Sequence, residues 1–286
     1  MEVRSIGVCV KPDQPQLAEA IRALAKWASE HAIEVVLDPE AGRWAGAPGT
    51  PRHDLAARVD FVVVLGGDGT LLAVARAIGR RLLPILGVNL GALGFLAEID
   101  LTELFPTLEA VLADRFRIEP RMRFEVSVDH DGSELGRYLA LNDAVIAKTA
   151  LSRMVDLETR ADGFEVTTYH ADGLIVATPT GSSAYSLSAG GPLLLPSFEA
   201  IVLTPICSHT LTQRPLVLSA SCEITIRVQD ARGGEVHLTV DGQVGRELAE
   251  RDRVTVRRSE WPAQILVPKD RNRFQVMRTK LRWGAR

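Results

Sequence analysis

The sequence predicts an N-terminal α/β domain of the doubly wound, Rossmann-like class, followed by a β-rich C-terminal domain built as layered sheets or a sandwich. Before about residue 117, continuously apolar segments alternate with segments of helical periodicity, as in a parallel sheet covered by helices. After it, short segments alternate apolar and polar residues and are separated by Asp-Gly, Gly-Gly and Ser-rich turns. We therefore expect domains at residues 1–117 and 118–266.

The individual elements follow from the same periodicities. In the first domain, strands are predicted at residues 5–10, 33–37, 61–65 and 84–88, and helices at residues 16–29, 70–78 and 101–112. The stretch 39–52 is rich in Gly and Pro, which predicts a surface loop. In the second domain, strands are predicted at residues 124–128, 138–147, 164–169, 174–177, 216–218, 223–228 and 236–240, with one helix at residues 183–189.

Charge and the N-terminal segment limit the classes of function. The chain of 286 residues has a formal net charge of −3, so no overall basic field favours nucleic acid or an anionic membrane. The N-terminus has no apolar signal segment, and no run approaches the roughly 20 apolar residues of a membrane helix. We therefore expect a cytoplasmic protein. Cys9, Cys207 and Cys222 are too widely spaced to predict a disulfide framework or a zinc site.

The strongest local motif is Gly66-Gly67-Asp68-Gly69-Thr70, which lies between a predicted buried strand and a predicted helix. Glycines there let the backbone approach a phosphate, and the next helix offers free N–H groups, so Gly66, Gly67, Gly69 and Thr70 are candidates for a phosphate loop. Asp68 would repel phosphate, but a carboxylate suits binding of Mg²⁺ or acceptance of a proton from a hydroxyl nucleophile. The alternative is a tight turn in which Asp68 or Thr70 caps the helix.

A second motif runs from Asp172 to Ser188, where a short strand leads into a turn of small polar residues and a helix start. Small residues let a flat ligand lie against the backbone. Tyr185 can stack on a base and donate a hydrogen bond through its hydroxyl. The alternative is a strand–turn–helix joint with Ser182 as its cap.

The third motif is Asn142-Asp143, which falls inside a predicted strand although both residue types are poor strand formers. A carboxylate at this position could accept both hydroxyl protons of a ribose diol. The alternative is a bulge or strand end in which these side chains bond to the local backbone.

Taken together, these motifs resemble the NAD kinase family over nearly the whole chain. The resembling segments, in the family's order, are 66–70, Leu141-Asn142-Asp143, 172–192, Asp241-Gly242-Gln243 and the tail from Pro268 to Trp283. Gly-Gly-Asp-Gly also occurs in phosphofructokinases and diacylglycerol kinases, so the segment 178–185 is the specific part. The resemblance implies transfer of a phosphoryl group from ATP, or from another phosphoryl donor, to the adenosine 2′-hydroxyl of NAD, with Mg²⁺ or another divalent cation. It also implies that the tail, residues 267–286, returns to the α/β domain and that the chain forms a homodimer or homotetramer.

The resemblance also implies roles for individual residues. Asp68 corresponds to the general base for the 2′-hydroxyl, and Gly69 lies against the dinucleotide. Asn142 and Asp143 correspond to adenosine-site contacts, with Asp143 on the ribose hydroxyls, and Phe95 lines the same cleft. The other positions that correspond to NAD contacts are Arg153, His170, Asp172, Ser183, Ala184, Tyr185, Ser186, Leu187, Ser188 and Gln243.

Three of these positions depart from common forms of the family. Ser183 replaces a frequent Thr, Asp143 a frequent Glu, and His170 an Arg found in many bacterial members. Two other functions remain as alternatives at this point: a lipid kinase similar to diacylglycerol kinases, and a non-catalytic NAD(P)-binding sensor. No basic amphipathic membrane helix supports the lipid kinase, and the carboxylate of Asp68 argues against a sensor.

Overall fold

In the computed structural model, the chain divides into two compact units, one formed by residues 1–120 and 263–286 and the other by residues 121–262. The structure describes residues 2–91, 94–148, 154–208, 210, 212–230, 235–269 and 272–283. No helix among these residues is long and apolar enough to cross a membrane.

The first unit contains a seven-stranded sheet. Its strands are β1 (Ser5–Val10), β2 (Glu34–Leu37), β3 (Phe61–Leu65), β4 (Pro84–Asn89), β5 (Ile99–Asp100), β6 (Phe116–Arg121) and β19 (Ala263–Pro268). Their order is β2-β1-β3-β4-β19-β6, with β5 paired to β4, and strands β1 to β5 pair in parallel, as does β19 with β4. Strands β1, β3 and β4 are buried along their whole length, as the continuous apolar runs predicted.

Helices cover this sheet. They are α1 (Leu17–Glu30), α2 (Pro39–Ala45), α3 (Arg52–Leu55), α4 (Asp68–Ile78), a 3₁₀ turn (Leu101–Glu103) leading into α5 (Leu104–Leu112), and α7 (Arg273–Leu281). Apolar residues of α1 and α5 form one core with β1 and β3, and the core residues concerned include Ile6, Val8, Leu17, Ile21, Leu24, Val63, Leu104 and Leu108. The α/β class predicted for this part is the one observed.

The prediction of a surface loop over residues 39–52 was wrong, because capping interactions make most of this stretch helical. Asp38 is the N-cap of α2, and its carboxylate accepts the Ala41 N–H at 2.8 Å. Gly46, with φ of +69°, ends the helix. Arg52 begins α3 and donates from Nε to Asp38 at 2.8 Å. The Gly and Pro residues therefore mark helix ends rather than an open loop.

The second unit contains two antiparallel sheets of six strands. One sheet has the order β11-β10-β15-β18-β7-β8 and contains β7 (Phe124–His130), β8 (Ser133–Ala140), β10 (Val155–Ala161), β11 (Phe164–Ala171), β15 (Ile224–Asp230) and β18 (Arg253–Arg258). The other has the order β14-β13-β12-β9-β16-β17 and contains β9 (Asp143–Lys148), β12 (Gly173–Ala177), β13 (Ala200–Ile206), β14 (Leu216–Ser219), β16 (Val236–Val240) and β17 (Val244–Leu248). Inward-facing residues of both sheets form one core, which confirms the predicted sandwich.

Two predictions in this unit were wrong in a way that bears on function. Residues 138–147 are not one strand, because β8 ends at Ala140 and β9 begins at Asp143 in the other sheet. Leu141 and Asn142 therefore form a corner between the sheets. The predicted helix at 183–189 is instead a 3₁₀ turn (Gly181–Ser183) and a single α-helical turn, α6 (Tyr185–Ser188), separated by the non-helical backbone of Ala184.

Candidate functional site

The glycine-rich turn lies at the carboxyl end of β3, where ligands bind in open parallel sheets. Helix α4 begins at Asp68, its N-cap is Gly67, and no side chain caps it. The alternative in which Asp68 or Thr70 is a helix cap is therefore wrong. The Asp68 carboxylate instead accepts the N–H groups of the next loop, residues 95–97, at 3.0, 3.2 and 3.0 Å.

The structure requires glycine at some positions of this turn and of the loop that Asp68 binds, but not at others. A Cβ on Gly66 would lie 2.5 Å from Oγ1 of Thr70, and one on Gly94 would lie 2.1 Å from Oδ1 of Asp68, so close packing requires both glycines. Gly67 has an extended backbone (φ −82°, ψ −174°), and no described atom lies within 4 Å of the position of its Cβ. Packing does not require Gly67, and the space beside it lies at the N-terminus of an 11-residue helix.

The loop that binds Asp68 also contacts the C-terminal helix of the same unit. Nζ of Lys280, on α7, lies 6.0 Å from the centroid of the half-buried Phe95 ring. This is the outer limit of a cation–π contact. It brings a positive charge to the loop whose N–H groups bind Asp68.

In the second unit, the Leu141-Asn142 corner meets the turn that follows β12. The Thr178 N–H donates to the Asn142 carbonyl at 2.8 Å, and the Thr178 hydroxyl donates to the Leu141 carbonyl at 2.7 Å. The Gly181 N–H donates to the Thr178 hydroxyl at 3.0 Å. A Cβ on Gly181 would lie 2.0 Å from the Asn142 carbonyl oxygen, so only glycine fits here. The structure thus brings the second and third sequence motifs together.

Two buried polar atoms in these segments have no hydrogen-bond partner among the described residues. They are Oδ1 of Asn142 and Oγ1 of Thr180. Because buried polar atoms in folded proteins normally have partners, each marks a position where a ligand could supply the missing hydrogen bond.

Asp143 is the first residue of β9 and is only 4% exposed, which agrees with the strand-end alternative for its backbone. Burial, and secondly the negative charge of Asp241, raise the pKa of Asp143 from its ordinary 3.8 to about 7. A buried carboxyl with a perturbed pKa is a candidate for a functional site. Near neutral pH, Asp143 is therefore poised between a proton donor and an acceptor of hydroxyl protons.

The residues of the 183–188 run differ in accessibility. Tyr185 is 47% exposed, so its ring face is open for stacking. The Ser186 hydroxyl is buried and shares a hydrogen bond of 2.9 Å with Thr204, so it supports the turn. The Ser183 hydroxyl donates to the Thr180 carbonyl at 3.0 Å. Ser182 does not cap a helix, because its hydroxyl donates to the Pro179 carbonyl at 2.7 Å and accepts the Leu194 N–H at 2.9 Å.

Of the other residues in the 183–188 run, Ala184 and Leu187 are half-buried and Ser188 is exposed. Two candidate residues outside this run, Gly69 and Gln243, are also exposed.

His170 and Asp172 lie at the opposite end of β12 from the Asn142 corner, roughly 13 Å away by the rise of a strand. Nδ1 of His170 lies 2.7 Å from Oδ1 of Asp156. Because a carboxylate only accepts, Nδ1 carries the proton. Asp172 pairs with Nζ of Lys148 at 3.0 Å. Within one chain these residues therefore form a separate polar group. Arg153 lies outside the described residues.

Sequence reasoning missed three residues of the second unit. Thr180 was part of a motif but was given no role. Asp241, which is 7% exposed, was also given no role. Arg123 is 2% exposed, and no local signal identified it. The Asp-Gly pair at 241–242 was a usable signal, but its partners lie about 100 residues earlier in the chain.

Among the described residues, no group of three or more His, Cys, Asp or Glu side chains is arranged to hold a metal ion.

Comparison with known proteins covers both units. Residues 6–116 match the family model of the ATP-NAD kinase N-terminal domain, and residues 141–267 match that of the ATP-NAD kinase C-terminal domain. An NAD kinase of Geobacter sulfurreducens is 46% identical over 285 residues, which cover 99% of this chain and 100% of the relative. An NAD kinase of Koribacter versatilis is 42% identical over 286 residues, with 99% and 100% covered.

Two solved structures have similar folds. A yeast NADH kinase complexed with NADH superposes with a TM-score of 0.90 at 27% identity, covering 100% of this chain and 89% of that one. An NAD kinase from Archaeoglobus fulgidus in complex with ATP has a TM-score of 0.77 at 28% identity, with 97% and 98% covered.

The raised pKa of Asp143 predicts a pH-dependent stability. Between about pH 4 and 7 the folded state holds a proton that the unfolded state has lost, so stability falls as pH rises through this range and stays lower above it. Asp143→Asn removes this loss, on the order of 4 kcal/mol at most. We expect the variant to unfold at a higher temperature than wild type at about pH 8, with the difference shrinking towards pH 5.

Thermal unfolding measured across this range tests the prediction, with Asp162→Asn as a control at an exposed carboxylate. A difference between Asp143→Asn and wild type that does not change with pH would contradict it.

Proposed function

The chain belongs to the NAD kinase family of ATP-dependent phosphotransferases, and we propose that Asp68 accepts the proton of the adenosine 2′-hydroxyl of NAD as the γ-phosphoryl group of ATP moves to that oxygen. The observation that carries this role is the carboxylate itself. It stands in a glycine-rich turn suited to anions and is held by three backbone N–H groups.

The proposed reaction balances without a further reactant. A bond forms between the 2′-oxygen and the γ-phosphorus, and the bond from that phosphorus to the β–γ bridging oxygen breaks. ADP leaves with the electron pair, NADP forms, and the 2′-hydroxyl proton moves to Asp68. Oδ1 of Asp68 accepts two of the three N–H bonds and Oδ2 accepts one, so Oδ2 keeps a lone pair for that proton.

We propose that Gly66, Gly67, Gly69 and Thr70 form the phosphate loop. The turn lies at the N-terminus of the 11-residue helix α4, where the helix dipole favours negative charge. The absence of a side chain at Gly67 lets a phosphate oxygen approach the backbone. Holding the phosphates at this turn would supply positioning and electrostatic stabilisation, which dominate catalysis of phosphoryl transfer.

We propose that the second unit binds adenosine. Ionised Asp143 would accept ribose hydroxyl protons, and the unpartnered Oδ1 of Asn142 would accept a further donor. The exposed ring of Tyr185 would stack on a base. The other proposed dinucleotide contacts are Phe95, Arg153, His170, Asp172, Ser183, Ala184, Ser186, Leu187, Ser188 and Gln243.

We propose that the divalent cation enters with the nucleotide. Mg²⁺ prefers oxygen ligands and often binds through substrate phosphates and one or two carboxylates. The nucleotide phosphates would hold the cation, because the lone pair that Asp68 keeps is assigned to the hydroxyl proton. The cation would neutralise charge that develops on the transferring phosphoryl group.

Homodimer or homotetramer formation stays a prediction, for which light scattering of the purified chain is the measurement.

Asp68→Asn should retain the fold and most of the affinity for NAD, yet lower kcat by about 10²–10⁴, because a carboxamide cannot take the proton. The matched control is Asp60→Asn. The Asp60 carboxylate also accepts backbone N–H groups, from Arg4 and Ser5 at 2.8 Å, and belongs to the same unit. We expect this control to keep wild-type kcat.

A coupled assay of NADP formation measures both variants, and calorimetry measures their NAD affinity. Asp68→Asn with more than half of wild-type kcat would remove Asp68 from the role of base. Wild-type turnover in the same assay excludes a non-catalytic sensor. Repeating it with NADH and with polyphosphate determines the preferred acceptor and donor.

Gly67→Ala should cost less than about 1 kcal/mol of stability, since its extended backbone suits any residue and its Cβ meets no described atom. It should nevertheless weaken ATP binding by about tenfold or more, because the methyl group fills the space proposed for phosphate. Gly66→Ala should instead destabilise the fold by about 1–3 kcal/mol, because its Cβ would press on Thr70. Chemical unfolding and ATP titration separate the two effects, and wild-type ATP affinity in Gly67→Ala would refute the phosphate loop.

A further inference from the structure

Asp241 binds the backbone of the corner that carries Asn142 and Asp143. Its Oδ1 atom accepts the N–H groups of Leu141, Asn142 and Asp143 at 3.1, 2.7 and 3.2 Å, and its Oδ2 atom also accepts that of Leu141, at 3.0 Å. The Asp241 N–H in turn donates to the Asp143 carbonyl at 2.9 Å. One carboxylate thus binds three consecutive N–H groups where the chain passes from one sheet to the other.

Turn formation alone does not explain this aspartate. Asp131-Gly132, Asp162-Gly163 and Asp241-Gly242 all have positive φ at both residues, as type I′ turns require, and all follow a strand that pairs with the next. Asp131 and Asp162 are exposed, whereas Asp241 is buried with its carboxylate on the corner. Asp162 accepts one distant N–H group, that of Glu223 at 2.8 Å, whereas Asp241 accepts three consecutive ones.

The same carboxylate acts electrostatically on Asp143. Asp143 is nine-tenths or more enclosed, and the negative charge of Asp241 acts together with burial to favour its protonated form. Burial lowers the pKa of Arg123 to about 10, and the negative charge of Asp241 acts in the opposite direction. From β12, Asp143 pairs with Ala177, which carries no charge. Among the described residues, the charge that acts on this carboxyl is that of Asp241.

We propose that Asp241 is a positioning residue that fixes the Asn142-Asp143 corner and whose charge, added to the effect of burial, disfavours ionisation of Asp143, so that NAD binds more tightly as pH rises through neutrality. The inference rests on the proposed function, in which ionised Asp143 accepts ribose hydroxyl protons. Below the pKa of Asp143, each pH unit should weaken NAD binding by about tenfold, and above it the affinity should level off.

Two substitutions separate the two effects. Asp241→Asn keeps one carbonyl oxygen, and a single oxygen of Asp241 already accepts all three N–H groups. This variant can therefore keep those three bonds without the charge, and it loses the second acceptor of the Leu141 N–H. We expect it to bind NAD about fivefold more tightly than wild type near pH 6 and equally near pH 8.5. Asp241→Ala removes both effects and should weaken NAD binding across the whole range. Asp162→Asn changes an exposed Asp-Gly turn of the same kind and should match wild type.

Calorimetric titration with NAD between about pH 5.5 and 9 gives the affinities. Superimposable profiles of Asp241→Asn and wild type would overturn the electrostatic coupling. Wild-type affinity in Asp241→Ala would overturn the positioning role.

A ¹³C-carboxyl NMR titration of the ligand-free protein keeps this test independent of the proposed function. The Asp143 signal, identified by its loss in Asp143→Asn, should titrate near neutrality in wild type and at lower pH in Asp241→Asn. An unmoved Asp143 midpoint overturns the coupling even if a variant binds NAD poorly. If the midpoint moves but Asp143→Asn binds NAD with wild-type affinity and pH dependence, the assignment of Asp143 to the ribose fails while the coupling stands.

Discussion

In both units, one aspartate side chain accepts three consecutive backbone N–H groups from a segment that is distant in sequence. Asp68 accepts those of residues 95–97, and Asp241 accepts those of residues 141–143. These N–H groups lie where regular pairing is interrupted, so without the carboxylates they would need water or another partner. Charge-assisted hydrogen bonds are stronger than neutral ones, and each carboxylate therefore defines the shape of the segment it binds.

The arrangement places rigid backbone beside the groups proposed to act on substrate. Catalytic and binding groups are most effective when their supporting contacts hold them before the ligand arrives. It also has an electrostatic cost, because the charge of Asp241 disfavours ionisation of the nearby Asp143. In a site built in this way, the carboxylate of Asp143 is held in place, and the protein is less stable above neutral pH.

The sequence was sufficient for features that depend on local pattern. Continuous apolar runs identified β1, β3 and β4, period-two segments identified the sandwich, and the glycine-rich turn was correctly placed between β3 and α4. It failed where distant contacts decide the outcome. The alternation over residues 138–147 suits one strand. Distant residues, Thr178 and the carboxylate of Asp241 about 100 residues later, hold the corner where the chain passes from one sheet to the other. The helix α2 was missed because capping by Asp38 outweighs its Gly and Pro content.

Hydrogen exchange of backbone amides, followed by NMR in the ligand-free chain, tests most directly whether the two carboxylates define these segments. The account predicts that the amides of residues 95–97 and 141–142 exchange slowly although they lie outside regular strands, and that the amide of Asp143, the first residue of β9, is protected with them. It further predicts that replacing Asp68 by alanine releases only the first set and replacing Asp241 by alanine only the second. Fast exchange of both sets in the wild-type chain would contradict it.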